Sequence, residues 1–579
     1  MAHPQKSMKT YTMKQLMEQY GFSKTFFHRH FPHPRRKEIR GVGTTYVWTE
    51  DQLRRVLNSR EAIEYLKQRN EEADRKKQMQ EIRSLLSDYT PEYYIDHARK
   101  LSHRVFVLHV GPTNSGKTFD AMEDLKANTP GTYLGPLRLL ALEMADKLNA
   151  AGIPTSMITG EETILAPDAV VISSTIELCN YEQHFRTAVI DEAQLIADPD
   201  RGSSWLKALC LVNADVVHVC MAPEARSYIE GLIKDFGAEY VVREHRRLAP
   251  LVYGGACKGI RDLREGDAVI SFSRKSVLST AAQLEKKGFR ASVIYGALPP
   301  EARRNEVRKY MSGQTNIVCA TDAIGLGISL PISRVIFAES QKFDGKELRR
   351  LTVSEVRQIG GRAGRFGLKE KGEVLHFGDA AFIGHYLNAT PPKIRTCCIS
   401  FPRETLQTDY PLDQLFRVWQ GLNRQPGFVR EDMKDALILY GQIQKQVKKA
   451  NRELIYDLIT CPVDTRSTEL LGYWAACALA ILKNRAIPQP YFGTESLQAC
   501  ELQYRAYDIH HQLLRRIGRE DDCTRERQEI CETIARFMAA SKDQYIRRCR
   551  VCGRELPIGY AFNTCEHCFS LGAVHNGIS

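Results

Sequence analysis

The run RVFVLHVGPTNSGKTFD, Arg104–Asp120, decides the fold. A short apolar stretch leads straight into Gly111-Pro112-Thr113-Asn114-Ser115-Gly116-Lys117-Thr118, and a helix-forming segment follows. Strand, glycine-bracketed loop and helix in that order are the setting of a P-loop. The glycines let successive backbone N–H groups turn inward around a phosphate, and the helix N-terminus adds positive dipole. Lys117 then reaches the β- and γ-phosphates, and the Thr118 hydroxyl holds Mg²⁺. The bland alternative is a chance glycine-rich turn, which the preceding strand disfavours. A nucleoside triphosphate with Mg²⁺ is the expected ligand.

Outward from this loop the chain reads as α/β. Residues 101–247 alternate apolar runs (RVFVLHV, GTYLG, DAVVISS, RTAVID, ADVVHVC) with helical segments, and residues 248–395 repeat the habit with DAVISFS, ASVIYG, TNIVCA, SRVIFAE and GEVLHFG. Such spacing argues two parallel sheets covered on both faces. The second half has no P-loop of its own. Two tandem α/β domains are therefore expected, working as a cleft enzyme whose second half supplies groups across the interface. Val189-Ile190-Asp191-Glu192-Ala193-Gln194 is a strand ending in two carboxylates, about seventy residues after the P-loop. There Asp191 would hold Mg²⁺, and Glu192 would orient and deprotonate the attacking water. Gln358-Ile359-Gly360-Gly361-Arg362-Ala363-Gly364-Arg365 ends the second domain. Arg362 and Arg365, three apart on a helix face, would both point at one phosphoryl group and neutralise its developing charge. Elsewhere such a run would be a basic patch for an acidic surface.

The flanks differ in kind. Residues 1–60 hold two short helical patterns around Gly21-Phe22-Ser23, a basic loop with Arg35, Arg36, Lys37 and Arg40, a hairpin wing near Gly41-Val42-Gly43, and a helix capped by Thr49. That order looks like the winged helix-turn-helix of excisionase and MerR-type DNA-binding modules, with a small protein–protein adaptor as the alternative. Residues 61–100 are charged and free of glycine, which predicts a solvated helical linker. Residues 396–540 predict a helical domain packed on the motor. Residues 541–579 carry Cys549-x-x-Cys552 and Cys565-x-x-Cys568, a four-thiolate set for structural Zn²⁺ in a zinc ribbon. With Arg547, Arg548, Arg550 and Arg554 around it, the ribbon is either a nucleic-acid contact or a folding staple for the tail.

Composition sets the outer bounds. The 579 residues are 43% hydrophobic and 26% charged, with a net charge of +12 that suits a polyanionic partner. The length allows about three to five domains. Apolar runs are too short to span a bilayer, so no membrane role is expected. Sixteen cysteines, twelve of them scattered, argue reduced core thiols rather than a disulfide scaffold. No apolar signal core opens the chain, although the first residues are basic and acid-poor; a bacterial or phage cytoplasmic protein is the expectation.

GPTNSGKT, DEAQ, ATDAIGLGIS and QIGGRAGR, in this order, resemble the superfamily 2 DExH-box helicases. Within them the chain is most similar to the mitochondrial degradosome RNA helicases (the Suv-three type) and their bacterial relatives over residues 101–395, and more faintly at YDLITCP, Tyr456–Pro462. The resemblance implies two tandem RecA-like domains, with ATP as the nucleotide driving translocation on nucleic acid, RNA favoured and DNA the alternative, and a nuclease or other RNA-processing protein as a further partner. It also implies that Gln358 contacts the γ-phosphate side and that Gly325 and Asp322 link nucleotide to strand. Arg138, Thr159 (with Gly160-Glu161) and Thr175 would grip the sugar–phosphate backbone from the first domain, and Ser273 and Thr321 from the second. Cys220-Met221-Ala222-Pro223 stands where many helicases have Ser-Ala-Thr, and Ser329 where the family commonly has Asn. The rival readings are a DNA helicase or remodeller sited by the N-terminal module, and a nucleotide-switched binding protein that grips without unwinding.

Overall fold

The computed structural model describes residues 9–39, 43–101, 103–160, 162–247, 249–325, 330–345, 347–364, 371–446, 451–519, 523–540, 542–560 and 562–571. Several sequence expectations lie outside these residues: Arg40, the Gly41-Val42 turn, Glu161, Ser329 and Arg365. Among the described residues no helix is long and apolar enough to cross a membrane.

The two expected α/β domains are present. The first is an eight-stranded sheet in the order Glu239–Glu244, Val105–Val110, Ala214–Met221, Phe185–Ile190, Gly131–Gly135, Val171–Thr175, Thr155–Ile158, Thr163–Ile164. All neighbours run parallel except the last pair. The inner strands read as continuous buried runs because both faces are covered, as in Val105–Val110 and Gly131–Gly135. The second is a six-stranded, wholly parallel sheet: Leu251–Ala256, Gly372–His376, Arg334–Phe337, Asp267–Ile270, Ile317–Ala320, Ala291–Ile294. Both the P-loop and the Asp191-Glu192 pair follow the carboxyl ends of strands, separated by Ala214–Met221 alone, which is where open parallel sheets place ligands.

The N-terminal residues form a separate compact unit. Helices Met13–Tyr20 and Lys24–His30 meet at Gly21–Ser23, and strands Thr10–Thr12, Gly43–Thr49 and Arg35–Ile39 make a three-stranded antiparallel sheet. Phe22, Phe26, Phe27 and Trp48 fill its core with Leu16 and Leu53. Helix Glu50–Leu57 begins at a Thr49–Gln52 capping box. The long helix Arg60–Ser87 starts inside this core, with Ala62 buried and the Tyr65 hydroxyl accepting from Ser23 N at 2.9 Å. The charged linker is thus rooted in the module at one end. At the other, helix Pro91–Arg99 buries Ile95 and Ala98 within the unit that holds both sheets.

Beyond residue 396 the chain is mostly helical, with one two-stranded parallel pairing, Cys397–Ile399 with Phe428–Arg430. Helices Leu497–Arg516 and Thr524–Ala539 contribute Leu497, Cys500, Tyr504, Ile530 and Ile534 to the same apolar cluster as Val269, Leu278 and Val293 of the second sheet domain. Ile558 of the cysteine-rich tail joins that cluster as well. A hairpin, Gln341–Phe343 with Leu348–Arg350, is braced at its base by Lys342, whose Nζ lies 3.0 Å from Asp322 and 2.7 Å from Glu355.

Arg104 shows how the first domain closes around its own polar groups. The side chain is fully buried; Nε donates to Leu101 O at 3.0 Å, and Nη1 donates to Leu209 O and Val212 O, both at 3.0 Å. It thereby caps the carboxyl end of helix Gly202–Leu211, where carbonyls lack partners and the dipole favours a cation. Burial pushes its pKa down to about 10, which leaves it charged at neutral pH. Arg104→Met strands these carbonyls and is expected to cost about 2–3 kcal/mol in urea unfolding of the full chain. Arg104→Lys, which reaches fewer of them, is expected to fall between.

Candidate nucleotide site between two sheet domains

The P-loop connects strand Val105–Val110 to helix Lys117–Ala127. Asn114 and Gly116 take left-handed backbone angles, with φ of 58° and 85°. Ser115 Oγ donates to Pro112 O at 2.8 Å, and Lys117 Nζ lies 2.8 Å from both Gly111 O and Pro112 O. Among the described residues the Lys117 ammonium is hydrogen-bonded to these two carbonyls, which phosphate oxygens can replace. Thr118 Oγ1 is 3.2 Å from both oxygens of Asp191. A hydroxyl and a carboxylate side by side are the hard oxygen ligands that Mg²⁺ takes.

Asp191 is buried and held from four sides. Tyr133 Oη donates to Oδ2 at 3.0 Å, Glu192 N donates to Oδ1 at 2.9 Å, and Trp205 Nε1 donates to the Asp191 carbonyl at 2.9 Å. Its own N–H donates to Leu134 O at 3.0 Å. Burial, and then the neighbouring Glu192 charge, raise its pKa to about 6. Glu192 sits at φ 51°, in left-handed backbone that re-aims its side chain. Its carboxylate accepts from Gln194 Nε2, and Gln194 Oε1 in turn accepts from Ala222 N at 3.0 Å. The amide of Gln194 thus ties the second carboxylate to the Cys220-Met221-Ala222-Pro223 turn.

The second domain reaches the same place. Helix Val353–Gly360 ends in a turn at Gly361–Gly364, and Asn114 Nδ2 donates to Gly361 O at 3.0 Å. A Cβ on Gly361 would lie 2.9 Å from Thr113 Cβ, so glycine is required for this approach. Arg362 Nε and Nη2 donate to Gly325 O at 3.2 and 2.6 Å. Burial lowers its pKa, while the charges of Glu192, Asp191 and Glu143 oppose that shift. Gln358 stands beside Gly325, its Cγ 3.6 Å from where a Gly325 Cβ would be. Lys117, Thr118, Asp191, Glu192, Gln358 and Arg362 are thus brought to one cleft, and Arg365 is outside the described residues.

The residues expected to hold a strand are differently disposed. Arg138 is mostly buried, and its Nη2 lies 2.9 Å from Glu162 and 2.6 Å from Glu301. Two carboxylates engage it in place of a phosphate. Thr159 is fully buried, its Oγ1 donating to Glu162 O at 3.0 Å and accepting from Glu162 N at 3.1 Å. Ser273 caps helix Arg274–Glu285, accepting from Ser276 N at 3.0 Å. Thr175 precedes the turn Ile176–Leu178, and Thr321 Oγ1 accepts from Ala323 N at 3.2 Å.

Tyr133, Gln194 and a column of histidines were not singled out in the sequence. His109 bonds His245 Nε2 through Nδ1 and His218 Nδ1 through Nε2, each at 3.0 Å, and His245 N donates to Val110 O at 2.7 Å directly behind the P-loop. Burial pushes His109 down to about 3 and His218 to about 4, so both are neutral at physiological pH. The available signal was a histidine inside each of two apolar strand runs.

The four cysteines of the tail also converge. Their sulfurs all lie within 4.8 Å of one another, with Cys552 Sγ and Cys565 Sγ 3.7 Å apart. Cys565 N donates to Cys549 Sγ at 3.3 Å. Tetrahedral Zn–S bonds of about 2.3 Å place sulfurs about 3.8 Å apart, so the donor set fits.

Residues 91–245 match the DEXQ-box helicase domain of Suv3, and residues 255–367 match the helicase conserved C-terminal domain. The chain is 40% identical over 284 residues to the mitochondrial ATP-dependent RNA helicase SUV3 of Saccharomyces cerevisiae, covering 48% of this chain and 38% of that protein. It is 39% identical over 328 residues to the mitochondrial DExH-box ATP-dependent RNA helicase DExH16 of Arabidopsis thaliana, covering 55% and 57%. It is 35% identical over 370 residues to the mitochondrial ATP-dependent RNA helicase SUPV3L1 of Gallus gallus, covering 60% and 46%. The chain spans about half the length of the curated relatives it matches. Among solved structures, the Escherichia coli DEAH/RHA helicase HrpB aligns with a TM-score of 0.46 at 18% identity, covering 80% of this chain and 65% of that one. The cytoplasmic location expected from the sequence is overturned, because these curated relatives are mitochondrial proteins. That expectation rested on a missing apolar signal core, which basic, acid-poor transit sequences also lack.

The Gln194 bridge generates a direct test. Gln194→Ala frees Glu192 from Ala222 and is expected to lower kcat for ATP hydrolysis about tenfold, with KM for ATP changed less than about threefold. Steady-state hydrolysis at saturating and limiting ATP separates the two.

Proposed function

We propose that this chain, with a Suv3-type DEXQ-box helicase domain at residues 91–245 and a helicase C-terminal domain at residues 255–367, is an ATP-dependent RNA helicase. The observation that carries the reading is the apposition of the P-loop with the Gly361–Arg362 turn: groups from both domains surround one phosphate-binding loop. Lys117 and the P-loop amides would hold the β- and γ-phosphates, Glu192 would orient and deprotonate water, and Arg362, with Arg365 as a second finger, would neutralise charge on the transferred phosphoryl group. Thr118 and Asp191 would hold Mg²⁺, which supplies charge neutralisation on the phosphates when bound. Gln358 and Gly325, adjoining Arg362, would report the γ-phosphate to the Thr321–Asp322 segment. Loss of that phosphate removes what both domains hold and lets the cleft relax, and alternate closing on one strand steps the protein along it.

RNA is preferred as substrate on the strength of the relatives named above, which also support a mitochondrial location; a nuclease as partner rests on the resemblance to the degradosome helicases alone. Arg138, Thr159, Thr175, Ser273 and Thr321 would meet the strand once Arg138 exchanges a carboxylate for a phosphate. A DNA-directed second reading rests on one observation: Lys24, Thr25, His28 and Arg29 are exposed on the second helix of the N-terminal module, and Arg35 and Arg36 are exposed on the strand that follows it. That is the disposition a winged helix-turn-helix uses on a duplex. Cys549, Cys552, Cys565 and Cys568 would hold a structural Zn²⁺ in the terminal ribbon.

The deciding measurement is strand separation on 3′- and 5′-tailed duplexes, with RNA and DNA loading strands tested separately. ATP-dependent unwinding of RNA-loaded duplexes from one tail is expected. Unwinding of DNA-loaded duplexes alone would favour the second reading. Lys117→Ala should abolish hydrolysis, and Glu192→Gln should retain ATP while losing turnover. For the ribbon, one zinc per chain by elemental analysis is expected. The ribbon is fastened to the second domain by Ile558, by Gln283 Nε2 donating to Leu556 O at 3.2 Å, and by the Lys286–Glu555 pair at 2.6 Å. Removing zinc with a chelator should therefore lower the Tm of that domain as well as unfold the tail.

A further inference from the structure

The segment joining the two sheet domains passes behind the P-loop, and one of its side chains holds parts of both. Arg247 Nη1 donates to Thr113 O at 3.0 Å and to Gly361 O at 2.7 Å, its Nη2 donates to Ala363 O, and its Nε donates to Ala249 O at 2.7 Å. One guanidinium therefore bonds the P-loop of the first domain, the turn that carries Arg362 in the second, and the connecting segment itself. We propose that Arg247 is a positioning residue for ATP hydrolysis, a staple that sets the separation between the P-loop and the Arg362 turn. The proposal rests on the ATPase reading above and adds a residue outside its motifs.

Three observations carry it. First, every partner is a backbone carbonyl; among the described residues Arg247 has no ion pair with a carboxylate. Burial pushes its pKa down to about 10, so it still donates as a cation at neutral pH. Second, Gly361 and Ala363 flank Arg362. Fixing both of their carbonyls fixes where the Arg362 side chain leaves the backbone, with its guanidinium on Gly325 O. Third, the staple crosses a place where the domains lie in close contact, since a Cβ on Gly361 would be 2.9 Å from Thr113 Cβ. A planar fork of five donors can span these separate carbonyls, whereas an ammonium presents its donors from a single point. His245, two residues earlier, holds the same segment to Val110 O, so the staple is anchored on the first domain.

The test uses the full chain and the variants Arg247→Met and Arg247→Lys. Both are expected to lower RNA-stimulated kcat about tenfold or more while KM for ATP moves less than about threefold, the pattern of an interaction felt in the transition state. The double variant Arg247→Met/Arg362→Lys should lose no more than about twofold beyond Arg362→Lys alone, because the first residue acts through the second. Amide exchange at Gly361–Gly364 should quicken in Arg247→Met. A kcat within about twofold of the parent, a KM rising in proportion to the loss in kcat, additive loss in the double variant, or unchanged exchange at Gly361–Gly364 would each overturn the proposal. If the parent chain hydrolyses no ATP, the ATPase reading fails instead, and the exchange measurement alone still decides whether the staple exists.

Discussion

The seat of the Gly361–Ala363 turn on the P-loop is the contact on which the rest of the site depends. A Cβ on Gly361 would collide with the Thr113 side chain, so here the second domain's backbone lies directly against the P-loop. Everything that fixes either side of that point fixes the cleft. On the first domain's side the P-loop rests on a buried column of neutral histidines, and on the Asp191 network anchored by Tyr133 and Trp205. On the second domain's side Arg362 is bonded to Gly325 O, beside Gln358. A shift in either support moves the contact.

The charges in this cleft are mismatched to their surroundings in complementary ways. Asp191 is buried with its pKa raised, and Arg362 is buried with its pKa lowered. Each carries a desolvation cost that its hydrogen bonds only partly offset. A magnesium–nucleotide complex has the opposite pair of charges: a cation for Asp191 and Thr118, an anion for Lys117 and Arg362. Dipoles and charges set in place before a ligand arrives need no rearrangement when it does, which is the arrangement that favours catalysis over simple binding.

Much of this was legible because it rests on backbone chemistry. A P-loop needs glycine at fixed positions, and a doubly covered strand needs an unbroken apolar run, so GPTNSGKT and the central strands stand out of the sequence. Two of the edge strands do not. Glu239–Glu244 and Leu251–Ala256 are polar or alternate between half-buried and exposed residues, with no continuous run to read. Tyr133 is invisible for another reason: its strand, Gly131–Gly135, reads as plain core, and only the register that sets it beside Val189 brings its hydroxyl to Asp191. Arg247 is one of several arginines in a basic stretch, and its role depends wholly on where a loop more than a hundred residues later returns. The helical region was expected to pack on the motor, and the periodicity did not say where; its last two helices contribute to the second domain's core.

That sharing bears on how the far face of the motor is coupled to the cleft. Arg138 of the first domain is bonded to Glu301 of the second; Tyr504 Oη donates to the same Glu301 at 2.7 Å, and Arg527 Nη2 donates to Tyr504 Oη at 3.0 Å. Arg515 donates to Thr159 O, and Tyr295 Oη donates to Glu501 at 2.6 Å. Three segments of the chain are thus cross-braced, and two members of the brace, Arg138 and Thr159, are residues that the family resemblance assigns to gripping a strand. In the function proposed above, a phosphate that took Arg138 from Glu301 would loosen the brace between the domains, and a change in the separation of the domains at the P-loop would strain it. Linkage would then require these effects to be equal: whatever free energy a bound strand contributed to closing the nucleotide cleft, bound nucleotide would return as affinity for the strand. The brace would be where the two transactions meet, because it is built from both domains and from the helices that pack on them.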